Sequence, residues 1–371
     1  MENLCYHPWV GLDITPQGEF RPCCKYQRMV AKDINEYLSS EELSNLKQEF
    51  TEGKRPSGCA SCWRDEDAGL PSKRQIDNQY VFNNTAPNLD SLKVLSLPFG
   101  NTCNLACRTC NSVASSRWSQ EEKKLKKHYP SIQIHQHQKF YKDVTLLTKI
   151  KELSTELIDL TVPGGESFIT GIPQQLEFLD YLIANNANDI TLTYITNTTT
   201  FPDNEFWSRW VHFKKVNIQL SVDGTGSKFE YLRWPANWNE CYLNIKQYQA
   251  KQAELSNLQL SVSYTVSIFN VFDIPEFVIW CLKEKLPMPY FGMVSYPDYY
   301  SIKNLPQELK EVVTDKLNAT KFMSIVNYMN NSVDSNELYL HAIERTKVLD
   351  AMRGQDFNLV FPYLQQAEIR I

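Results

Sequence analysis

The chain has 371 residues, 42% of them hydrophobic and 22% charged, with a formal net charge of −5. That length gives a prior of roughly two to three domains and ample material for a buried core, while the acidic balance lacks the broad basic footprint of a nucleic-acid binder. No run of about 18 apolar residues marks a membrane span, and the opening MENLCYHPWVGLDITPQGEF has no basic segment followed by an apolar one, so a cytoplasmic protein without a membrane partner is expected.

Residues 1–90 read as an irregular, cysteine-bearing module. Eight of the ten cysteines lie in the first 110 residues: Cys5, Cys23, Cys24, Cys59, Cys62, Cys103, Cys107 and Cys110. In a reducing compartment such crowding favours metal or iron–sulfur ligation over disulfides. One amphipathic helix is predicted near EELSNLKQEF (41–50), ended by Gly53 and Pro56. Cys5 and Cys23 stand in the pattern C-x12-G-x4-C around Gly18, and Cys59 and Cys62 form C-x2-C. Two such pairs serve a four-thiolate zinc site and an iron–sulfur cluster equally well. Cys23 and Cys24 compete for one ligand position, and the spacing after Gly18 favours Cys23. The stretch CWRDEDAGLPSKRQ (62–75) reads as a solvated linker, with no role assigned to Glu66, Ser72 or Arg74.

From about 91 the pattern changes. Strand candidates LKVLSLPF (92–99), LIDLTVP (157–163), ITLTYIT (190–196), VNIQLSV (216–222), LQLSVSYTV (258–266) and PYFGMVSY (289–296) alternate with helical stretches at 111–127, 143–154, 173–185, 203–212, 238–254 and 274–285. Strand–helix alternation implies a parallel sheet with crossover helices. Six such units across 91–305 predict an α/β fold, a partial (β/α)6 TIM-like barrel whose chemistry lies beyond the C-terminal ends of its strands. Residues 306–371 form a C-terminal extension, mainly helical over 306–355. SIQIHQHQ (131–138) reads as an exposed insertion, with His135 and His137 in a solvated loop and metal binding as the alternative. Cys241 and Cys281 read as structural, Cys281 acting as a small apolar residue in FVIWCLKEK; hydrogen-atom donation is the lesser alternative for each.

The sequence GNTCNLACRTC (100–110) follows the first strand directly and spaces Cys103, Cys107 and Cys110 as C-x3-C-x2-C. Thiolates are the usual ligands of iron–sulfur clusters, and a four-iron cube ordinarily takes four. Three close cysteines with no fourth nearby leave one iron open. Zinc prefers four closed ligands, often in C-x2-C pairs, which this triplet fits poorly. The triplet at the end of a first barrel strand resembles the radical S-adenosylmethionine (SAM) superfamily. The resemblance implies a [4Fe–4S] cluster whose free iron chelates SAM, one-electron cleavage of SAM, and abstraction of a hydrogen atom from the substrate by the resulting 5′-deoxyadenosyl radical. Where that family often has an aromatic residue before the third cysteine, this chain has Thr109.

Later strand ends carry further likenesses. VPGGES (162–167) resembles the family's GGE motif, which implies that Gly164, Gly165 and Glu166 meet the SAM amino group. ITNTT (195–199) resembles the T-N-G-T segment, with Thr198 where glycine is common, and implies a role for Asn197 at the ribose or methionine moiety. LSVDG (220–224) offers Ser221 and Asp223 to SAM hydroxyls or substrate, with a plain turn as the alternative for Asp223. Arg233, in FEYLRWPANW (229–238), resembles an arginine that pairs with the SAM carboxylate; its planar fork suits that task.

The N-terminal pattern resembles the SPASM/twitch auxiliary-cluster motif, here ahead of the barrel. That resemblance implies a second [4Fe–4S] cluster on Cys5, Cys23, Cys59 and Cys62. The two resemblances cover roughly residues 1–300. Together they imply an oxidoreductase, fed by a reductant such as flavodoxin or ferredoxin, that oxidises or crosslinks a peptide or protein side chain. A dehydrogenase or epimerase acting on a sugar or other small molecule, and a non-enzymatic zinc or iron–sulfur module, are the competing readings.

Overall fold

The computed structural model describes residues 3–28, 31, 33–83, 89, 91–136, 139, 142–294, 296–318, 320–331 and 336–364. One eight-stranded sheet organises it: β1 (Gly11–Ile14), β2 (Phe20–Arg21), β3 (Val94–Ser96), β4 (Asp159–Val162), β5 (Thr191–Thr196), β6 (Lys215–Ser221), β7 (Leu258–Val266) and β8 (Tyr290–Met293), in the order β2-β1-β3-β4-β5-β6-β7-β8. Every neighbouring pair is parallel except the β1–β2 hairpin at the edge. The six strands expected after residue 91 are all present in sequence order, as a partial TIM-like barrel requires.

Crossover helices Ser116–Leu125, Val144–Leu153, Ile172–Ala184, Asn204–Trp210, Trp238–Glu254 and Ile274–Lys283 separate those strands. Strand side chains alternate between faces. One set packs on the helices in a continuous core: Leu95, Leu160, Leu192, Ile218, Leu220 and Val262 with Leu179, Trp210, Ile245 and Phe277. Tyr194 lies 5.0 Å from Trp210 and Tyr264 lies 4.6 Å from Phe277, centroid to centroid. The alternate set turns to the other, concave face.

The first 90 residues are more regular than the sequence suggested. They contribute β1 and β2 to the sheet, so the sheet runs across residue 90. Gly18 sits in the hairpin turn at φ +79°, a left-handed conformation that favours glycine. Helices Ile34–Leu38, Glu41–Thr51, Ala60–Asp67 and Lys73–Tyr80 follow. Segment 62–75 is not a solvated linker. Glu66 takes two bonds from Arg74, at 3.0 and 2.7 Å, and one from the Ser72 hydroxyl at 2.6 Å, and Ser72 closes a capping box with Gln75. Buried charge of this kind persists only when paired and hydrogen-bonded.

The extension is helical at Gln307–Asn318, Met323–Asn330 and Asn336–Arg353. Among its described residues, the insertion after residue 131 is tied down at His135. The His135 amide donates to Ser112 Oγ at 3.0 Å, and Ser119 Oγ donates to the His135 carbonyl at 2.8 Å. His137 lies outside the described residues. Among the described residues no helix is long and apolar enough to cross a membrane.

Candidate active site

Cys103, Cys107 and Cys110 lie on one loop beyond the C-terminal end of β3, and neighbouring elements fix the backbone of that loop. The Cys103 amide donates to Ser116 Oγ at 3.1 Å. The carbonyls of Leu105, Ala106 and Cys107 accept from Ser115 Oγ at 2.6 Å, from Arg353 at 2.8 Å and from the Trp118 indole at 2.8 Å. The Ala106 and Arg108 amides donate to the Trp234 and Leu232 carbonyls at 2.8 and 2.7 Å. The three thiols influence one another electrostatically. Burial pushes all three up, Cys107 to about 12, with the neighbouring cysteines adding to the rise at Cys107 and Cys110. A buried thiol keeps its proton until a metal takes the sulfur. Three half-buried sulfurs on one rigid loop are therefore a donor set that fits an iron–sulfur cluster. Among the described residues no three His, Cys, Asp or Glu side chains are grouped for a single metal ion; a four-iron cube takes its thiolates one per iron, which sets them farther apart.

The β4 loop seats on the cysteine loop. A Cβ at Gly165 would stand 2.2 Å from the Thr102 carbonyl oxygen, so only glycine permits this approach. The Glu166 amide donates to the same oxygen at 2.8 Å. The Glu166 carboxylate is fully buried and turned inward, accepting from Thr196 Oγ1 at 2.8 Å, the Phe168 amide at 3.3 Å and the Asn197 amide at 2.7 Å. Burial raises it to about 7 against these bonds. Its carboxylate thus joins the ends of β4 and β5, and the part of the motif left to meet a ligand is its backbone.

Asn197 stands at the end of β5. Its Nδ2 approaches Cys103 Sγ at 3.7 Å and donates to Asn104 Oδ1 at 3.0 Å, and its Oδ1 accepts from the Thr199 hydroxyl at 2.6 Å. Thr198, where glycine was expected from the resemblance, holds φ +69°, the left-handed conformation that would favour glycine. Asp223 is buried, accepts from the Thr265 amide at 2.7 Å and pairs with Arg233 at 2.8 Å. Burial works against the Arg233 charge, but Asp223 and then Cys107 more than offset it and raise its pKa. Arg233 Nε is buried with no partner among the described residues, a donor that a ligand carboxylate would satisfy. Ser221 ends β6 on the concave face, opposite Ser263. Cysteine loop, Gly-Gly loop, Asn197 and Arg233 are thereby gathered at one end of the sheet. Cys241 and Cys281 are buried in the core.

A second site lies in the N-terminal module. Cys5, Cys23, Cys59 and Cys62 line one small cavity with His7, Lys25, Tyr26, Phe50, Lys73 and Arg74. Cys24 is exposed and does not line it. Burial drives the Cys5, Cys23, Cys59 and Cys62 thiols up, each cysteine but Cys62 with added repulsion from other cysteines. Two buried and two half-buried thiols around one cavity suit a cluster, and they are not grouped for a single zinc ion.

The sequence reading missed the residues that lock the cysteine loop from the far end of the chain. Arg353 bonds Ala106 and pairs with Glu121, and Arg108, inside the triplet, pairs with Asp350 and donates to Gln355 at 2.9 Å. The only local signal was an arginine flanked by cysteines; nothing near it in sequence names the partner.

No protein-family model matches the chain, and no curated protein matches it. Among solved structures, native anSMEcpe with bound AdoMet is similar at 14% identity and a TM-score of 0.46, over 64% of this chain and 62% of that one. TYW1 with a lysine-pyruvate adduct bound is similar at 10% identity and a TM-score of 0.37, over 62% and 74%. Streptococcus suis SuiB bound to S-adenosylmethionine is similar at 14% identity and a TM-score of 0.36, over 74% and 58%. The chain spans 58% of the anSMEcpe structure with bound AdoMet and Cp18Cys peptide.

Proposed function

We propose that this chain is a radical SAM enzyme whose Cys103, Cys107 and Cys110 hold a [4Fe–4S] cluster. The observation that carries the reading is the shared placement of three half-buried thiols on one loop with the Gly164–Glu166 backbone pressed against it. When bound, cluster and SAM supply one-electron cleavage of the cofactor and hydrogen-atom abstraction from the substrate. The chain's own residues bind and orient. The half-buried backbone of Gly164 and Gly165 offers polar groups to the SAM amino group. Arg233, held by Asp223, presents a cationic fork to its carboxylate. Asn197 and Ser221 hydrogen-bond its remaining polar groups. Glu166 fixes the spacing of the β4 and β5 ends.

The four-thiol cavity of Cys5, Cys23, Cys59 and Cys62 is read as the seat of an auxiliary [4Fe–4S] cluster. Such a group beside the barrel suits an oxidative outcome, because it can take an electron from the oxidised substrate. The reaction proposed is oxidation or crosslinking of a peptide or protein side chain, driven by a cytoplasmic reductant such as flavodoxin or ferredoxin. Anaerobic reconstitution with iron and sulfide tests the reading. It expects about eight irons per chain and 5′-deoxyadenosine from SAM, lost when Cys103, Cys107 or Cys110 becomes alanine. Zinc in both sites with no SAM cleavage overturns it.

A further inference from the structure

The concave face of the sheet is polar. In register across neighbouring strands run Asp13, Ser96, Thr161, Thr193, Asn217 and Gln259. Nearer the cysteine loop, Gln219 lies opposite Ser261, and Ser221 opposite Ser263. The closed barrels of this architecture fill that space with bulky branched residues, and parallel strands buried on both faces read as near-continuous apolar runs. VNIQLSV and LQLSVSYTV alternate instead, because only their helix-facing side is core.

Thr161 donates to Asp159 at 3.3 Å, but much of the middle of this wall lacks protein partners. Among the described residues, the side chains of Thr193, Asn217, Gln219 and Ser263 make no hydrogen bond to the protein and remain half-buried, and Ser261 Oγ is buried and unpartnered. Groups so placed need water or a ligand. Full charges stand at the margins: Asp13 pairs with Arg21 at 2.6 Å, and Asp159 and Lys215 begin their strands. The N-terminal module covers the same face. Asp13 on β1 lies in the field of Cys24, and Tyr290 on β8 lines one cavity with Lys25. The N-terminal module thus approaches this face from the strands towards both edges of the sheet.

We infer that this wall, taken as the substrate surface of the radical enzyme proposed above, binds an uncharged, amide-rich peptide segment through Thr193, Asn217, Gln219 and Ser263. Hydroxyls and carboxamides both donate and accept, as peptide amides do. A sugar ring also presents apolar faces, and the middle strands offer no aromatic side chain on this face to cover them. A greasy side chain would leave every one of these polar groups unpaired.

The test uses the reconstituted full chain in equilibrium dialysis against three probes: short peptides of Gly, Ser, Thr, Asn and Gln; short peptides of Leu, Val and Phe; and neutral oligosaccharides. The polar peptides are expected to bind. In an Asn217→Leu/Gln219→Leu variant their affinity should fall roughly tenfold or more, with iron content kept and the melting temperature unchanged or higher, since no internal bond is lost. Equal binding of the apolar peptides or of the oligosaccharides, wild-type affinity in the variant, or retention of no probe overturns the inference. SAM cleavage by the wild-type protein is measured separately, so failure of the radical reading and failure of the polar wall give different results.

Discussion

Arg108, between the second and third cysteines of the triplet, is buried against Asp350, 242 residues later in the chain. The guanidinium lies 3.9 Å over the Tyr231 ring, while Asp350 also accepts from the Tyr231 hydroxyl at 2.9 Å and the Phe357 amide at 2.7 Å. Cysteine loop, β6–β7 connection and C-terminal extension are thus joined at one buried ion pair. Removing one partner strands the other charge, which costs about 3–5 kcal/mol. Asp350→Ala should lower stability by that amount in denaturant unfolding. It should also deplete iron from the triplet, because the freed Arg108 pulls on the loop that carries all three ligands.

Gly164 and Gly165 should respond differently to one added methyl group. At Gly165 the new Cβ meets Thr102 backbone at 2.2 and 2.6 Å, whereas at Gly164 the nearest atom is the Gly100 oxygen at 3.5 Å, an ordinary contact. Gly165→Ala must move one loop off the other, at a cost of about 1–3 kcal/mol, and should abolish 5′-deoxyadenosine formation. Gly164→Ala should fold with wild-type stability. Equal behaviour of the two variants in unfolding would refute the close approach.

Much of this was legible in the sequence because short-range periodicity carried it. Alternation in VNIQLSV and a 17-residue helix at Trp238–Glu254 announce themselves within a few residues. The C-x3-C-x2-C loop is equally local. β1 and β2 were missed because GLDI and FR are only four and two residues long and lie among cysteines that drew a different reading. The Glu66–Arg74 pair was read as solvated because charge alone says nothing of burial. The Arg108–Asp350 pair and the inward turn of Glu166 depend on contacts between distant segments, which no local pattern specifies.

Asp159 should make stability fall as pH rises. Burial raises its carboxyl from the usual 3.8 to about 6, while Lys73 and Lys215 pull it down and Asp77 pushes it up. The folded state thus favours the protonated form. Its stabilising contribution is whole below about pH 4 and is lost progressively as pH climbs through about 6. Asp159→Asn removes this dependence. The variant should match the wild type near pH 4 and exceed it by up to about 2 kcal/mol at pH 7, read from denaturant midpoints at both pH values.

The N-terminal cavity separates ligands from a bystander thiol. Cys59→Ala or Cys62→Ala should lower the iron count from about eight to about four per chain. Cys24→Ser should leave it unchanged, because Cys24 lies outside the cavity. The residual four irons should retain the capacity to cleave SAM, since the triplet sits on a different loop. A count unaffected by Cys59→Ala would remove the auxiliary cluster from the proposal.

Arg233→Lys tests whether charge alone suffices at the cofactor's carboxylate. Asp223 engages one terminal nitrogen at 2.8 Å, and Nε remains buried without a partner among the described residues. Lysine keeps the positive charge and can keep the Asp223 contact, but it lacks the planar fork. The expected result is a KM for SAM raised about tenfold, equivalent to roughly 1.4 kcal/mol, with iron content intact. Arg233→Met leaves Asp223 buried without its cation and should cost stability as well, about 3–5 kcal/mol by the general behaviour of buried pairs. If lysine restored wild-type KM, the free Nε would have no part in holding the cofactor, and Arg233 would act only as the counter-ion of Asp223.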